Sequence, residues 1–342
     1  MAKVSIQIVT WNSMRYIMDC LESLMRQTFR DFSIMIIDNG SDDGTVEFIR
    51  SQYPTVSVLQ NFRNLGFCKA NNQGIHLAKT DYVLLLNPDV ILEENFLQRI
   101  INFADQHPEG GSFGGKVLRL RTEAIDDADQ SGLREAVKSD IIDSAGLKIF
   151  KSRYAVDLGQ GEKDKGQYDR TKEVFGISGA CVLYRKSALN EIMIKNEFFD
   201  QDFFAYKEDI DLAWRLRLYG FACWYFPEAV CYHHRRLMSQ EGKNVKDLFI
   251  HRRDISKMLR SLSFRNHHLM LFKNDQLINF LLHLPWILFR EIKVLFYVLF
   301  FEPFQYRNII GIFRLLPSIF IKRRVIMAHK KVSPSEIRKW FK

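Results

Sequence analysis

The 342-residue sequence contains no CxxC pair, and its five cysteines, Cys20, Cys68, Cys181, Cys223 and Cys231, are scattered and odd in number. That excludes a disulfide framework and a structural zinc site of the usual spacing, and predicts free thiols in a reducing compartment. Internal repeats and low-complexity stretches are also absent, which removes solenoids and disordered tails. Met1–Ile6 lacks the basic and apolar opening of a secretory signal, so a cytoplasmic setting is expected. No uninterrupted apolar run reaches the roughly 20 residues that a membrane-spanning helix needs. Leu277–Phe289 and Val294–Phe301 are the longest such stretches, and Arg290, Glu291 and Lys293 divide them. Joining them in a bilayer would bury three charges at roughly 3 kcal/mol each.

What is present is 47% hydrophobic and 13% aromatic residues, enough for a sizeable core, and a formal net charge of +9 placed unevenly. From Cys231 onward there are 22 Lys and Arg against 7 Asp and Glu; the preceding 230 residues carry 27 against 33. A basic tail suits nucleic acid or an anionic membrane surface. Here the basic residues, including Lys322-Arg323-Arg324 and Lys330-Lys331, are interleaved with aromatic-rich apolar runs, and no nucleic-acid motif is recognisable. The expectation is therefore peripheral association with the inner face of a cell membrane through interfacial helices, with helical packing on the core as the alternative, and no nucleic-acid partner.

The first ~110 residues alternate short apolar runs with helical spacing, the pattern of βαβ units around a parallel sheet. Strands are predicted at Val4–Thr10, Ser33–Ile37, Val56–Leu59 and Tyr82–Leu86. Helices are predicted at Met14–Arg26, Thr45–Gln52, Asn71–Ala78 and Glu93–Gln106, the last with acids in its first turn. Arg119–Tyr168 is polar and weakly periodic and reads as a surface excursion, a candidate lid. Order returns at Val174–Tyr184, the helix Glu208–Leu218 and the strand Ala222–Phe226. This divides the chain into a catalytic unit at 1–245 and a basic, apolar helical region at 246–342.

Four stretches carry candidate chemistry, each with an ordinary structural reading beside it. Asp38-Asn39-Gly40-Ser41-Asp42-Asp43-Gly44-Thr45 follows a buried strand, where ligands of open α/β sheets bind, but Asp-Asn-Gly is also common turn chemistry. Asn87-Pro88-Asp89 ends another strand; a carboxylate there could hold a divalent Lewis acid against a diphosphate leaving group. Glu208-Asp209-Ile210-Asp211 opens a helix, where acids may simply favour the dipole or one may deprotonate an acceptor hydroxyl. His233-His234 offers imidazole for a metal, or a plain surface pair.

The order of these stretches resembles glycosyltransferase family 2, with a GT-A type, Rossmann-like, mostly parallel sheet flanked by helices. The resemblance runs through Ile8-Val9-Thr10-Trp11-Asn12, Asp38–Thr45, Asn64-Leu65-Gly66-Phe67, Asn71-Asn72-Gln73-Gly74, Leu85–Asp89, Ser178-Gly179-Ala180 and Phe203–Arg215, about residues 3–240. The Asn64-Leu65-Gly66-Phe67, Asn-Pro-Asp and Glu-Asp-x-Asp-Leu stretches are most similar to the rhamnosyltransferase branch. The resemblance implies that Asp38 contacts the nucleotide base and that Thr10 and Asn12 line its pocket. Asn64, Gly66 and Asn87 would join the nucleotide-sugar side, and Arg215 would neutralise phosphate or pair with Asp211. Asp89 would be the metal carboxylate and His233 the later metal ligand, with His234 in reserve. Asp209 would be the base, with Glu208 its competitor. Asn87 stands where the family's Asp-x-Asp motif has its first Asp, which predicts weaker metal binding. The implied activity is inverting, metal-dependent (Mg2+ or Mn2+) transfer from a nucleotide-sugar donor, dTDP-L-rhamnose, to a lipid-linked or growing glycan acceptor. The alternatives are a UDP-hexose or UDP-galactofuranose donor, or a non-catalytic sugar-nucleotide-binding subunit.

Overall fold

The computed structural model describes residues 2–124, 134–234 and 255–342. Strand β1 (Val4–Thr10) is almost wholly buried, as befits a central strand covered on both faces. It pairs in parallel with β2 (Phe32–Asp38) and β4 (Tyr82–Leu86), and β2 with β3 (Ser57–Gln60). Helices α1 (Met14–Met25), α2 (Thr45–Gln52) and α3 (Phe67–Leu77) make the crossovers. The alternation of β4 separates two cores. Tyr82, Leu84 and Leu86 join α1 and α4 (Phe96–Gln106) on one face, whereas Val83 and Leu85 face α3 on the other.

The second half of the sheet is largely antiparallel, which corrects the expectation of a mostly parallel one. After β5 (Val90–Leu92), a long strand β6 (Gly110–Ala124) pairs antiparallel with β7 (Arg134–Ser144). The small hairpin β8 (Leu147–Ile149) and β9 (Ala155–Asp157) follows, then β10 (Lys172–Glu173) and β11 (Cys181–Arg185). Strand β11 runs antiparallel between β4 and β6, and β12 (Ala222–His233) lies parallel to β6. The order β10-β12-β6-β11-β4-β1-β2-β3 is a mixed sheet. Its later helices are α5 (Lys186–Ile192) and α6 (Glu208–Leu218).

Three local expectations need correction. The described part of residues 119–168 is not a surface excursion: Ile142, Ala145, Leu147 and Ile149 are core residues, so much of it completes the sheet. The acids Glu93 and Glu94 precede α4 instead of opening it, because their backbones are pinned to Val230 and Thr28. Helix α3 starts earlier than Asn71, directly after Gly66. All five cysteines are buried and free, as expected.

The boundary expected at 245/246 lies outside the described residues. Beyond it come α7 (Lys257–Asn274), α8 (Leu277–Leu282), α9 (Leu284–Phe301), α10 (Tyr306–His329) and α11 (Pro334–Arg338). Leu269, Met270, Ile312, Ile319, Ile326 and Phe341 enter the same core as Leu212 and Trp214 of α6. A buried ionic cluster reinforces the contact. Lys273 Nζ reaches Asp200 Oδ2 at 2.5 Å and Asp211 Oδ1 at 2.9 Å; Lys322 Nζ reaches Asp200 Oδ1 at 2.5 Å and Asp202 Oδ2 at 2.9 Å. The basic stretch expected to face a membrane is thus partly consumed. Lys322 is buried, Arg323 donates to the carbonyls of Phe272 and Asp275, and Lys331 pairs with Glu191. Among the described residues, no helix is long and apolar enough to cross a membrane.

Candidate active site

Strands β1, β2 and β4 deliver their carboxyl ends to one edge of the sheet. Thr10 and Asp38 are register partners, and Thr10 Oγ1 donates to Asp38 Oδ1 at 2.8 Å. The Asp38 carboxylate also accepts from Gly40 N, Ser41 N and Ser41 Oγ, and it is fully buried. Asp38 therefore folds the loop around itself. Asn12, in a left-handed conformation (φ +50°), receives Asp42 N at its Oδ1, so the loops after β1 and β2 are laced together. Between Thr10 and Asn12, Trp11 is 58% exposed on this edge. An exposed indole there is a ready face for a nucleotide base, and its chemistry was legible in the sequence but not weighed.

Asn64 Oδ1 accepts from Gly66 N at 2.9 Å. Gly66 has φ +86°, and a Cβ on it would fall 2.5 Å from the Phe204 ring. Both residues hold α3 against the segment that leads to α6. That segment is conformationally costly: Phe204, Tyr206 and Lys207 all have positive φ, a feature that persists only when surroundings over-determine it. The surroundings include α7. The Asn266 amide donates to the carbonyls of Phe203, Ala205 and Tyr206, and Arg265 to those of Asp202 and Phe203.

The strained segment presents Glu208 and Asp209 at the start of α6. Asp209 Oδ2 accepts from Gly179 N at 3.2 Å and Oδ1 from Ile210 N at 2.8 Å. Glu208 Oε2 is buried with no hydrogen-bond partner among the described residues. Burial, then the neighbouring Asp209 charge, raises the Glu208 pKa to about 8. Burial also raises that of Asp209, against the two backbone N–H groups, which favour its charged form. The two backbone N–H groups thus favour charge on Asp209 over charge on Glu208.

Asn87, Pro88 and Asp89 turn directly out of β4. Asn87 N donates to Ala180 O at 2.9 Å, next to the Gly179 amide that holds Asp209. The turn and the base candidate are therefore joined through Ser178-Gly179-Ala180. Asp89 Oδ1 lies 3.4 Å from His233 Nε2, too far for a good hydrogen bond, and makes no hydrogen bond among the described residues although it is buried. His233 Nδ1 is 2.8 Å from Asp143 Oδ2. Burial opposes the imidazolium, but the Asp143 and Asp89 carboxylates outweigh it and carry the pKa to about 10. A histidine facing one carboxylate, with its second nitrogen tied to another, suits a divalent cation. Asp143, on β7 in the stretch read as a surface excursion, was missed. His234 does not share this arrangement; its ring lies 5.0 Å from that of Tyr16. Among the described residues, no group of three or more His, Cys, Asp or Glu side chains gathers to hold an ion.

Arg215 belongs elsewhere. It is 1% exposed, and its guanidinium is used by Asp211 Oδ2 at 3.2 Å and by the carbonyls of Ile192 and Phe198. Of the two expected roles, pairing with Asp211 is the one found; phosphate cannot reach it.

Comparison with known proteins agrees with this geometry. A family model described as "Glycosyltransferase like family 2" matches residues 2–249. The N-acetylglucosaminyl-diphospho-decaprenol L-rhamnosyltransferase of Mycobacterium tuberculosis (strain ATCC 25618 / H37Rv) is 28% identical over 244 residues, 66% of this chain and 74% of that protein. The poly-beta-1,6-N-acetyl-D-glucosamine synthase of Staphylococcus aureus (strain N315) is 27% identical over 234 residues, 67% of this chain and 49% of that one. Among solved structures, GalNAc-T7 with UDP, GalNAc and Mn2+ superposes with a TM-score of 0.58 at 14% identity, covering 80% of this chain and 49% of that chain. The mannosyltransferase PcManGT from Pyrobaculum calidifontis, in complex with GDP-Man and Mn2+, gives 0.51 at 14% identity, covering 99% and 79%. At such identities these two likenesses show a shared fold.

Proposed function

The chain belongs to the glycosyltransferase like family 2, and from that premise we propose that it moves L-rhamnose from dTDP-L-rhamnose onto a lipid-linked glycan acceptor with inversion. The observation that carries the chemistry is the Glu208–Asp209 pair, in which Asp209 accepts two backbone N–H groups that favour its charged form beside a neighbour pushed toward its neutral form by burial. Asp209 takes the proton of the acceptor hydroxyl as its oxygen attacks the anomeric carbon. The bond from that carbon to the nucleoside diphosphate breaks on the opposite face, so no covalent glycosyl-enzyme forms. The loops at Thr10–Asn12 and Asp38–Asp43, with Trp11, would receive the nucleotide. Asp89 and His233 would hold Mg2+ or Mn2+, which when bound supplies a Lewis acid for the departing diphosphate. Asp143 keeps the His233 ring turned toward Asp89. The donor and acceptor rest on the name of the mycobacterial relative.

The helices beyond residue 255 support attachment to a membrane surface. Leu277, Trp286, Phe289, Ile292, Phe296 and Phe300 are each at least half exposed, a larger apolar face than a monomeric soluble protein leaves open.

A donor panel presented with an N-acetylglucosaminyl-diphosphoryl lipid, following nucleotide release, tests the reading. Transfer from dTDP-L-rhamnose that EDTA abolishes and Mn2+ restores is expected. Release from a UDP-sugar alone would move the donor assignment; full activity in EDTA would refute the metal role of Asp89 and His233.

A further inference from the structure

The backbone that leads into Glu208 and Asp209 is bent sharply and held from outside. Phe204 (φ 65°, ψ −64°) is the centre of a γ-turn closed by Ala205 N, which donates to Phe203 O at 2.8 Å; this hand of γ-turn is rare and strained. Tyr206 and Lys207 follow at φ 73° and 69°. Lys207 is the N-cap residue of α6, and no side chain among the described residues caps that helix. Its first turn, which carries both acids, therefore starts where this segment sets it. Two elements fix the segment. Cys68 N, at the start of α3, donates to Phe204 O at 3.0 Å. The other is Asn266 of α7, wholly buried, whose Nδ2 lies 2.9 Å from Phe203 O and 2.8 Å from both Ala205 O and Tyr206 O. Arg265 Nε donates to Asn266 Oδ1 at 3.1 Å, which turns the amide nitrogen toward these carbonyls.

We infer that Asn266 is a positioning residue for the base: through the carbonyls of Phe203, Ala205 and Tyr206 it holds the first turn of α6 where Asp209 meets the acceptor hydroxyl. The inference rests on the assignment of Asp209 as base proposed above. It puts part of the alignment of the reaction in α7, beyond the family match at residues 2–249. The rest of α6 has other anchors. Lys273 and Asn274 hold Asp211, and Leu212 and Trp214 sit in the core. Loss of the Asn266 amide therefore releases the turn and leaves the helix in place. The loops that would receive the nucleotide are tied together by Thr10 with Asp38 and by Asn12 with Asp42, without Asn266. A purely structural asparagine would lower stability and leave the chemical step alone, and the two roles separate on that point.

The test uses the full-length protein at a temperature where circular dichroism shows every variant folded. N266D keeps the shape of the side chain but turns an acceptor oxygen toward three carbonyls. It should lower kcat by about 10²-fold, the loss expected when a reacting group is misplaced by about 1 Å. Its affinity for a nucleoside diphosphate, read by calorimetry, should stay within about twofold of wild type. N266A, for use if N266D does not fold, should move kcat in the same direction. I101A, a truncation in the separate core around α4, should lower Tm and leave kcat unchanged. Because Asn266 acts through Asp209, N266D should cost little once D209N is present. A kcat near wild type in N266D and N266A would overturn the inference. So would an equal loss in I101A, or a full further loss in D209N/N266D. Hydrogen exchange, which needs no substrate, separates this inference from the proposed activity: N266A should speed the amides of 205–210 by about tenfold or more. Faster exchange together with turnover retained by D209N would leave the brace standing and sink the base assignment. Unchanged exchange would overturn the brace whatever D209N does.

Discussion

Replacing Lys273 with methionine removes one cation from the buried cluster that joins α7 to α6. Lys273 is wholly buried and touches both Asp200 and Asp211, themselves 4% and 0% exposed. Removing one partner of a buried ion pair costs about 3–5 kcal/mol, because the remaining charge is left in a poor solvent. Lys322 still serves Asp200, and Arg215 and Asn274 still serve Asp211. The loss should therefore lie near the lower figure, about 3 kcal/mol. For a chain this long, each kcal/mol lowers Tm by about 2 °C, so a fall of roughly 6 °C is expected in a thermal melt. The pH dependence gives a second reading. Burial works against the Asp200 carboxylate, but Lys273 and Lys322 prevail and hold its pKa below the usual 3.8. A carboxylate depressed in the folded state contributes stability above its unfolded pKa and loses it as pH falls through the folded value. The gap between wild type and K273M should thus be full at pH 7 and narrow in acid. Adding D200N to K273M removes a carboxylate that has lost one of its cations and should recover part of the loss. A K273M melt within about 1 °C of wild type, or a gap that widens in acid, would refute this account.

D209N should lower turnover by about 10²–10⁴-fold with little change in nucleotide affinity; a far greater loss in E208Q would exchange the two roles. Glu208 gives a separate stability signature: its folded pKa of about 8 exceeds the ordinary 4.5, so between those values the folded protein keeps a proton that the unfolded chain releases. Stability should decline with rising pH in that window, and E208Q should flatten the decline; identical slopes would contradict it. Because Lys322 and Arg323 are engaged internally, binding to anionic vesicles should rest on the apolar face and change little with salt, as sedimentation would show. Release by salt alone would mean that charge dominates. A chain ending at 246 should be poorly folded, as followed by circular dichroism, since it lacks Leu269, Lys273 and Ile319 from the core; a cooperative melt near the full-length Tm would disprove the dependence.

The parallel half of the fold was legible because its signals are local. Strand β1, helix α2, strand β4 and helix α6 start and stop where apolar periodicity and turn residues place them. Asn87-Pro88-Asp89 and Glu208-Asp209 stand out as acids beside apolar strands or helix starts. Asp143 was hidden because β7 is rich in charged and small residues without a clear period, and only its pairing with β6 reveals a strand. One usable signal was the run Ile141-Ile142-Asp143-Ser144-Ala145, an acid set among small and apolar residues. For the converse reason, the sequence did not favour the pairing with Asp211 among the two roles open to Arg215. Its helix advertised a functional face, but partners distant in sequence, the carbonyls of Ile192 and Phe198, use its donors. The role of Asn266 and Lys273 could not be read from a region whose composition speaks of surfaces, because only tertiary contact with residues 200–211 reveals it.

Asn266 also decides where this enzyme can be recombined with a relative. The shared family sequence stops at residue 249, upstream of α7. A chimera spliced there would carry Glu208 and Asp209 on a segment shaped for a different brace, and the three carbonyls that Asn266 gathers would meet whatever side chain the other parent supplies. The seam belongs after Asn274, so that the acids and the helix that props them travel as one inherited part.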